Sequence, residues 1–142
     1  MVVLDTDVVS ALTRPRENPR ATKWVFDHTD DLFITSTTIS EMVFGVMIMP
    51  EGRRKSETDD AVMKVLSGFY DRTIDFGGSA AIEHGRFVCD RKAAGRPIGR
   101  ADAQIAACCI AVGAELATRN TKDFEGIPGL KLINPWEYEP AS

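Results

Sequence analysis

Alternation constrains this chain more than any other feature. Short apolar runs at 2–5, 32–35, 72–76, 115–118 and 130–133 are separated by stretches with helical spacing and helical punctuation. Strands that recur with helices between them return in the same direction, because a parallel return needs a crossover long enough to hold a helix. The expected fold is therefore α/β, a central mostly parallel sheet of about five strands with helices on both faces. The first run, Val2-Val3-Leu4, is apolar without alternation, which suits a strand buried on both faces.

The punctuation places the helices. A short helix is expected over 7–12, stopping before Pro15, and Asn18-Pro19 reads as a cap and first turn for a helix running to about Thr29. Ser36 or Thr37 can cap a helix over 38–49 that ends at Pro50. The polar stretch Glu51–Asp60 leads into a helix near 59–69. A longer helix over 79–94 stops at Gly95 with Pro97 beyond, and another over 101–112 stops at Gly113. No repeat, linker or low-complexity segment interrupts the pattern, so residues 1–142 are expected to form one domain.

Composition narrows the class. With 44% hydrophobic and 27% charged residues the chain has the balance of a soluble globular protein. No window reaches the roughly 18 apolar residues of a membrane span, and the N-terminal apolar run is too short for a signal peptide, so a cytoplasmic protein without a membrane partner is expected. Cys108 and Cys109 sit in an alanine-rich helix as small apolar residues, and no cysteine or histidine spacing supports zinc. The net charge of −4 speaks against nucleic acid at first sight, but the charge is uneven. Arg86, Arg91, Lys92, Arg96 and Arg100 face a single acid, Asp90, within one stretch, and are candidates for phosphate contact as well as for a solvated helix face.

Four acids stand out from their surroundings. Asp5 ends the first strand; Glu41 and Asp102 head helices whose following turns are apolar; Asp123 lies in the loop after the fourth strand. Open parallel sheets place sites at the carboxyl ends of strands, which is where this topology can collect all four. Two carboxylates about 5 Å apart repel by about 3 kcal/mol at an effective dielectric near 20, so such a cluster calls for a cation. All-oxygen ligation suits Mg²⁺ or Mn²⁺, and an acidic cluster of this kind hydrolyses phosphodiesters.

Leu4-Asp5-Thr6, Ser40-Glu41 with Gly45, Arg100-Ala101-Asp102-Ala103-Gln104-Ile105-Ala106 and Thr118-Arg119-Asn120-Thr121-Lys122-Asp123-Phe124 resemble, in order and spacing, the PIN-domain ribonucleases. More narrowly, the chain is similar to the VapC or FitB-like toxins of bacterial type II toxin–antitoxin systems, down to the closing Leu132-Ile133-Asn134-Pro135-Trp136. The resemblance implies a Mg²⁺- or Mn²⁺-dependent endoribonuclease with Asp5 and Asp102 as main metal ligands. Glu41 would ligate the metal or orient metal-bound water, and Asp123 would complete the cluster or serve a second metal. Thr6, Asp7, Thr118 and Asn120 would support it. It also implies a homodimer, and a small antitoxin carrying its own DNA-binding domain that joins the toxin in a hetero-oligomer.

One position departs from the resemblance. Residue 7 is Asp where those toxins generally have Asn. Asp7 is then a helix cap, an added charge at the metal site, or a hindrance to it. The same change makes the opening resemble haloacid dehalogenase-type phosphatases, with Asp5 as nucleophile and Asp7 as acid/base. That alternative leaves Glu41 and Asp123 without a role. A catalytically inert PIN-like interaction module is the non-enzymatic alternative. The methionine-bearing helix over 38–49 (Met42, Met47, Met49) is read as core packing or as an antitoxin-binding surface.

Overall fold

A computed structural model describes residues 1–141. Five short strands form one sheet: β1 (Val2–Leu4), β2 (Leu32–Thr35), β3 (Thr73–Ile74), β4 (Glu115–Ala117) and β5 (Leu132–Ile133). All pairings are parallel and the order is β3-β2-β1-β4-β5. The expected α/β architecture is therefore what the chain adopts. From β1 the chain builds outward to β3, then crosses back to lay β4 on the other side of β1. The direction of winding reverses between β1 and β4, which makes the carboxyl end of that pair the natural crevice.

Seven helices among the described residues cover the sheet: α1 (Thr6–Leu12), α2 (Pro19–Asp27), α3 (Ser36–Met47), α4 (Arg53–Ser67), α5 (Gly78–Ala93), α6 (Arg100–Val112) and α7 (Thr121–Phe124). Period-two alternation divides β1 between two cores. Val3 packs with α5 and α6, against Phe87, Ile105, Ala106 and Cys109; Leu4 packs on the opposite face with Val8, Trp24, Val46 and Val62. The alanines and cysteines of α6 are small enough to bring its backbone close to the sheet, and Cys108 and Cys109 are free and fully buried. Gly113 ends α6 at φ 71°, a left-handed conformation that glycine takes without strain.

Several expected details differ. Helix α4 starts at Arg53, six residues earlier than the apolar pattern suggests, because its first turns are held by ion pairs, Arg53–Glu57 at 2.8 Å and Lys55–Glu51 at 2.6 Å, and carry no core stripe. Thr35, rather than Ser36 or Thr37, caps α3, accepting from the Thr38 N–H at 3.1 Å. Asn18 stands at the start of α2 but does not cap it: its amide carbonyl accepts from the Trp136 indole at 3.2 Å. Both histidines pack in aromatic groups, His28 on Trp24 and His84 between Phe76 and Phe87. In α3 the methionines divide, Met42 buried and Met47 exposed, leaving an outer apolar face of Val43, Phe44, Met47 and Ile48. Among the described residues no helix is long and apolar enough to cross a membrane.

Candidate active site

Asp5 is the first residue beyond β1. Its backbone N–H continues the sheet by donating to the Ala117 carbonyl at 2.9 Å, and its carboxylate caps α1 by accepting from the Thr6 N–H at 2.8 Å. The same carboxylate accepts from the Thr118 hydroxyl at 2.7 Å, across the switch point from the end of β4. Asp5 and Thr118 are both buried.

Thr6 faces the other way. Its hydroxyl donates to Glu41 at 2.6 Å and lies 3.0 Å from that of Thr38, fixing the first turns of α3 against α1. Thr37 donates to Gln104 at 2.9 Å, which ties α3 to α6 close to Asp102.

Asp7 is not the helix cap. Asp5 occupies that position, so Asp7 falls inside the first turn and reaches across to the loop after β4. Its Oδ2 accepts from the Arg119 N–H at 2.9 Å and lies 3.4 Å from both the Thr118 hydroxyl and the Asn120 amide. Its Oδ1 is buried without a hydrogen-bond partner.

Asp123, expected in a loop, sits on the one-turn helix α7, whose four residues are too few to show periodicity in the sequence. Arg91 holds it there. The Arg91 guanidinium is buried and donates to the carbonyls of Asp123 at 2.9 Å and Glu125 at 2.6 Å.

Electrostatics show that these acids share one region. Asp5 is pushed up to about 7, first by burial and then by the charge of Asp7, with Asp102 adding to the shift; the hydrogen bonds from Thr118 and Thr6 oppose it. Burial also raises Asp102, followed by repulsion from Glu41, Asp123 and Asp7. Asp7 is raised by burial against the pull of the Arg119 N–H. The topology thus brings together Asp5, Asp7, Glu41, Asp102 and Asp123 from separate elements.

A hard divalent ion fits this donor set in kind: every candidate atom is a carboxylate oxygen, one buried oxygen of Asp7 lacks a partner, and the acids destabilise one another's charged forms. Among the described residues, no three His, Cys, Asp or Glu side chains already form a metal-binding group. The acids are collected but not closed on a common point.

The PIN domain family model matches residues 2–130. The chain belongs to the PIN-domain family. It is 34% identical over 139 residues to the VapC ribonuclease Y4jK of Sinorhizobium fredii, covering 96% of this chain and 99% of that protein. It is 33% identical over 139 residues to the plasmid stability protein StbB of Pseudomonas syringae pv. tomato, with 96% and 99% covered. The structure of FitAB bound to an IR36 DNA fragment superposes with a TM-score of 0.86 at 29% identity, covering 100% of both chains. Membership of the PIN family removes the phosphatase alternative for Asp5 and Asp7.

In this PIN domain the basic residues expected to meet phosphate have different fates. Arg91 is withdrawn into the structure as the clamp on α7 and is not a surface cation; its long side chain found two carbonyls to satisfy under the loop. Arg86 is exposed beside Glu83 at 3.6 Å, and Lys92 is exposed on the last turn of α5. Arg96 lines a groove with Asp102, Lys122 and Asp123, and Arg100 opens α6 two residues before Asp102. Two cations next to the acids were not singled out from the sequence, Arg119 and Lys122. Their position directly after β4, within the Thr118–Phe124 stretch, was the available signal.

Proposed function

We propose that this chain, folded throughout as one PIN-domain unit, is the endoribonuclease toxin of a type II toxin–antitoxin pair. The observation that carries the reading is the gathering of Asp5, Glu41, Asp102 and Asp123 around the β1–β4 switch point. Relatives bearing the VapC ribonuclease name over nearly the whole chain support the activity, and the FitAB–DNA likeness supports an antitoxin with its own DNA-binding domain.

In this reading Asp5 and Asp102 are the main holders of a Mg²⁺ or Mn²⁺ ion, with Glu41 and Asp123 completing the set. When bound, the ion supplies Lewis acidity toward a phosphodiester oxygen and toward the attacking water. The protein's part is orientation. Thr118 fixes one oxygen of Asp5 while the Thr6 N–H fixes the other, so the carboxylate cannot rotate freely. Thr6 holds Glu41 near Asp102, where its free lone pairs can accept a hydrogen bond from water. Asp7 keeps Thr118 and Asn120 in register by gripping the backbone between them, and Arg91 sets Asp123 through the carbonyls of α7.

The toxin works in the cytoplasm, without a membrane partner. Val43, Phe44 and Met47 on α3, with Ile48 at its C-cap, offer an exposed apolar face suited to a second copy or to the antitoxin, which makes a homodimer and a toxin–antitoxin hetero-oligomer the expected assemblies.

Brief induction in a bacterial host, followed by sequencing of RNA 5′ ends, tests the reading. Growth arrest with new cleavage sites, both lifted by co-expressing the neighbouring antitoxin gene, is the expected result. Arrest without new RNA ends contradicts it.

A further inference from the structure

Arg119 is exposed, yet it is held at two points. Its backbone N–H donates to Asp7 at 2.9 Å, and its guanidinium lies over the Trp136 ring at 5.1 Å from the centroid. Trp136 is itself anchored: the indole N–H donates to Asn18 at 3.2 Å and the backbone N–H to the Asn134 side chain at 2.9 Å. Among the described residues, Arg119 forms no ion pair with a carboxylate. The result is an unpaired guanidinium braced on an aromatic face, one residue from Thr118 at the rim of the acid cluster.

Such a cation answers a physical difficulty of the proposed reaction. An RNA strand brings a negative phosphate for every nucleotide toward a region already crowded with carboxylates. A fixed positive charge at the rim offsets that repulsion, and a planar guanidinium meets phosphate oxygens through two parallel hydrogen bonds. Stacking on the indole restricts the long side chain beforehand, so less rotamer freedom is lost when a phosphate arrives.

We infer that Arg119, braced by Trp136, is a positioning residue that grips a phosphate of the RNA strand flanking the scissile bond. The inference rests on the ribonuclease reading and adds a residue for substrate alignment to it.

Salt-dependent RNA affinity tests the assignment. A 5′-labelled single-stranded RNA is titrated with Asp102→Asn protein, which keeps the strand intact, at several KCl concentrations. Adding Arg119→Ala is expected to weaken binding roughly tenfold at low salt and to reduce the slope of log K against log salt by about 0.7, the value of one single-strand phosphate contact. Arg119→Lys restores the slope but only part of the affinity. Thermal melting of each variant checks that the exposed substitution leaves the fold intact. An Asp102→Asn protein that binds no RNA overturns both this assignment and the ribonuclease reading. RNA binding with a slope unchanged by Arg119→Ala overturns the assignment alone, as does weakened capture of the antitoxin with RNA affinity unaltered.

Discussion

The Thr118 hydroxyl donates to Asp5 at 2.7 Å, joining residues 113 positions apart across the gap between β1 and β4. Both are buried, and the bond favours the charged form of a carboxylate that burial and Asp7 push toward neutrality. Thr118→Val keeps the shape and removes the donor. Cleavage at pH 7 should fall by about 10- to 100-fold, the usual cost of losing a partner that orients a metal-binding side chain. Thr118→Ser should recover most of it. Equal loss in both variants would mean that packing, not the hydroxyl, matters there.

The raised Asp5 carboxyl links stability to pH with a definite sign. Between its ordinary value of 3.8 and about 7 the folded chain keeps a proton that the unfolded chain has released. Stability contributed at this residue therefore falls as pH rises through that window when no divalent ion is present. A bound cation replaces the proton, so Mn²⁺ should raise the melting temperature more at pH 8 than at pH 5. Asp5→Asn should flatten the metal-free dependence and remove most of the Mn²⁺ effect. Melting curves in EDTA and in Mn²⁺ at the two pH values check this; an equal Mn²⁺ shift in Asp5→Asn would reject Asp5 as a holder of the ion.

Arg91 gives a structural prediction where the sequence suggested a surface one. Arg91→Ala leaves the carbonyls of Asp123 and Glu125 without their charged donor, and should cost about 2–4 kcal/mol in urea unfolding. Unchanged stability combined with weaker RNA binding would return Arg91 to the surface role.

Much of this architecture was legible because local signals agreed. The unalternating run at 2–4, the Gly95 and Gly113 stops and the acid heading α6 each named an element, and β-α alternation sets the sheet; Glu41, expected at the head of its helix, lies in the second turn of α3, which starts at Ser36. What stayed hidden depends on contacts far apart in the chain. The polar start of α4 carries no core stripe, and α7 is a single turn held by Arg91 from another helix. Asp7 looked like a cap because capping is local, whereas its partner Arg119 is 112 residues away. The bracing of Arg119 becomes visible only once Trp136 lies beneath it.

Asp7→Asn isolates the departure at the first helix. Asparagine keeps an acceptor for the Arg119 N–H and removes a negative charge beside Asp5. The variant should fold, melt about 2–4 °C higher at pH 8 without metal for each kcal/mol of repulsion relieved, and cleave RNA within about tenfold of the wild type. Neither protein should hydrolyse p-nitrophenyl phosphate. Loss of folding in Asp7→Asn would show that the charge, rather than the acceptor, holds the loop.

If acids from separate elements share a divalent ion that cuts RNA, cleavage must follow the metal, and add-back to stripped protein reads this out. Purified wild-type and Asp102→Asn proteins are stripped with EDTA, then given end-labelled RNA with Mg²⁺, Mn²⁺ or no metal. The wild type should cut only when metal is restored, and Asp102→Asn should be more than about 100-fold slower while melting at or above the wild-type temperature. Equal cleavage by the two proteins, or undiminished cleavage in EDTA, would contradict the account.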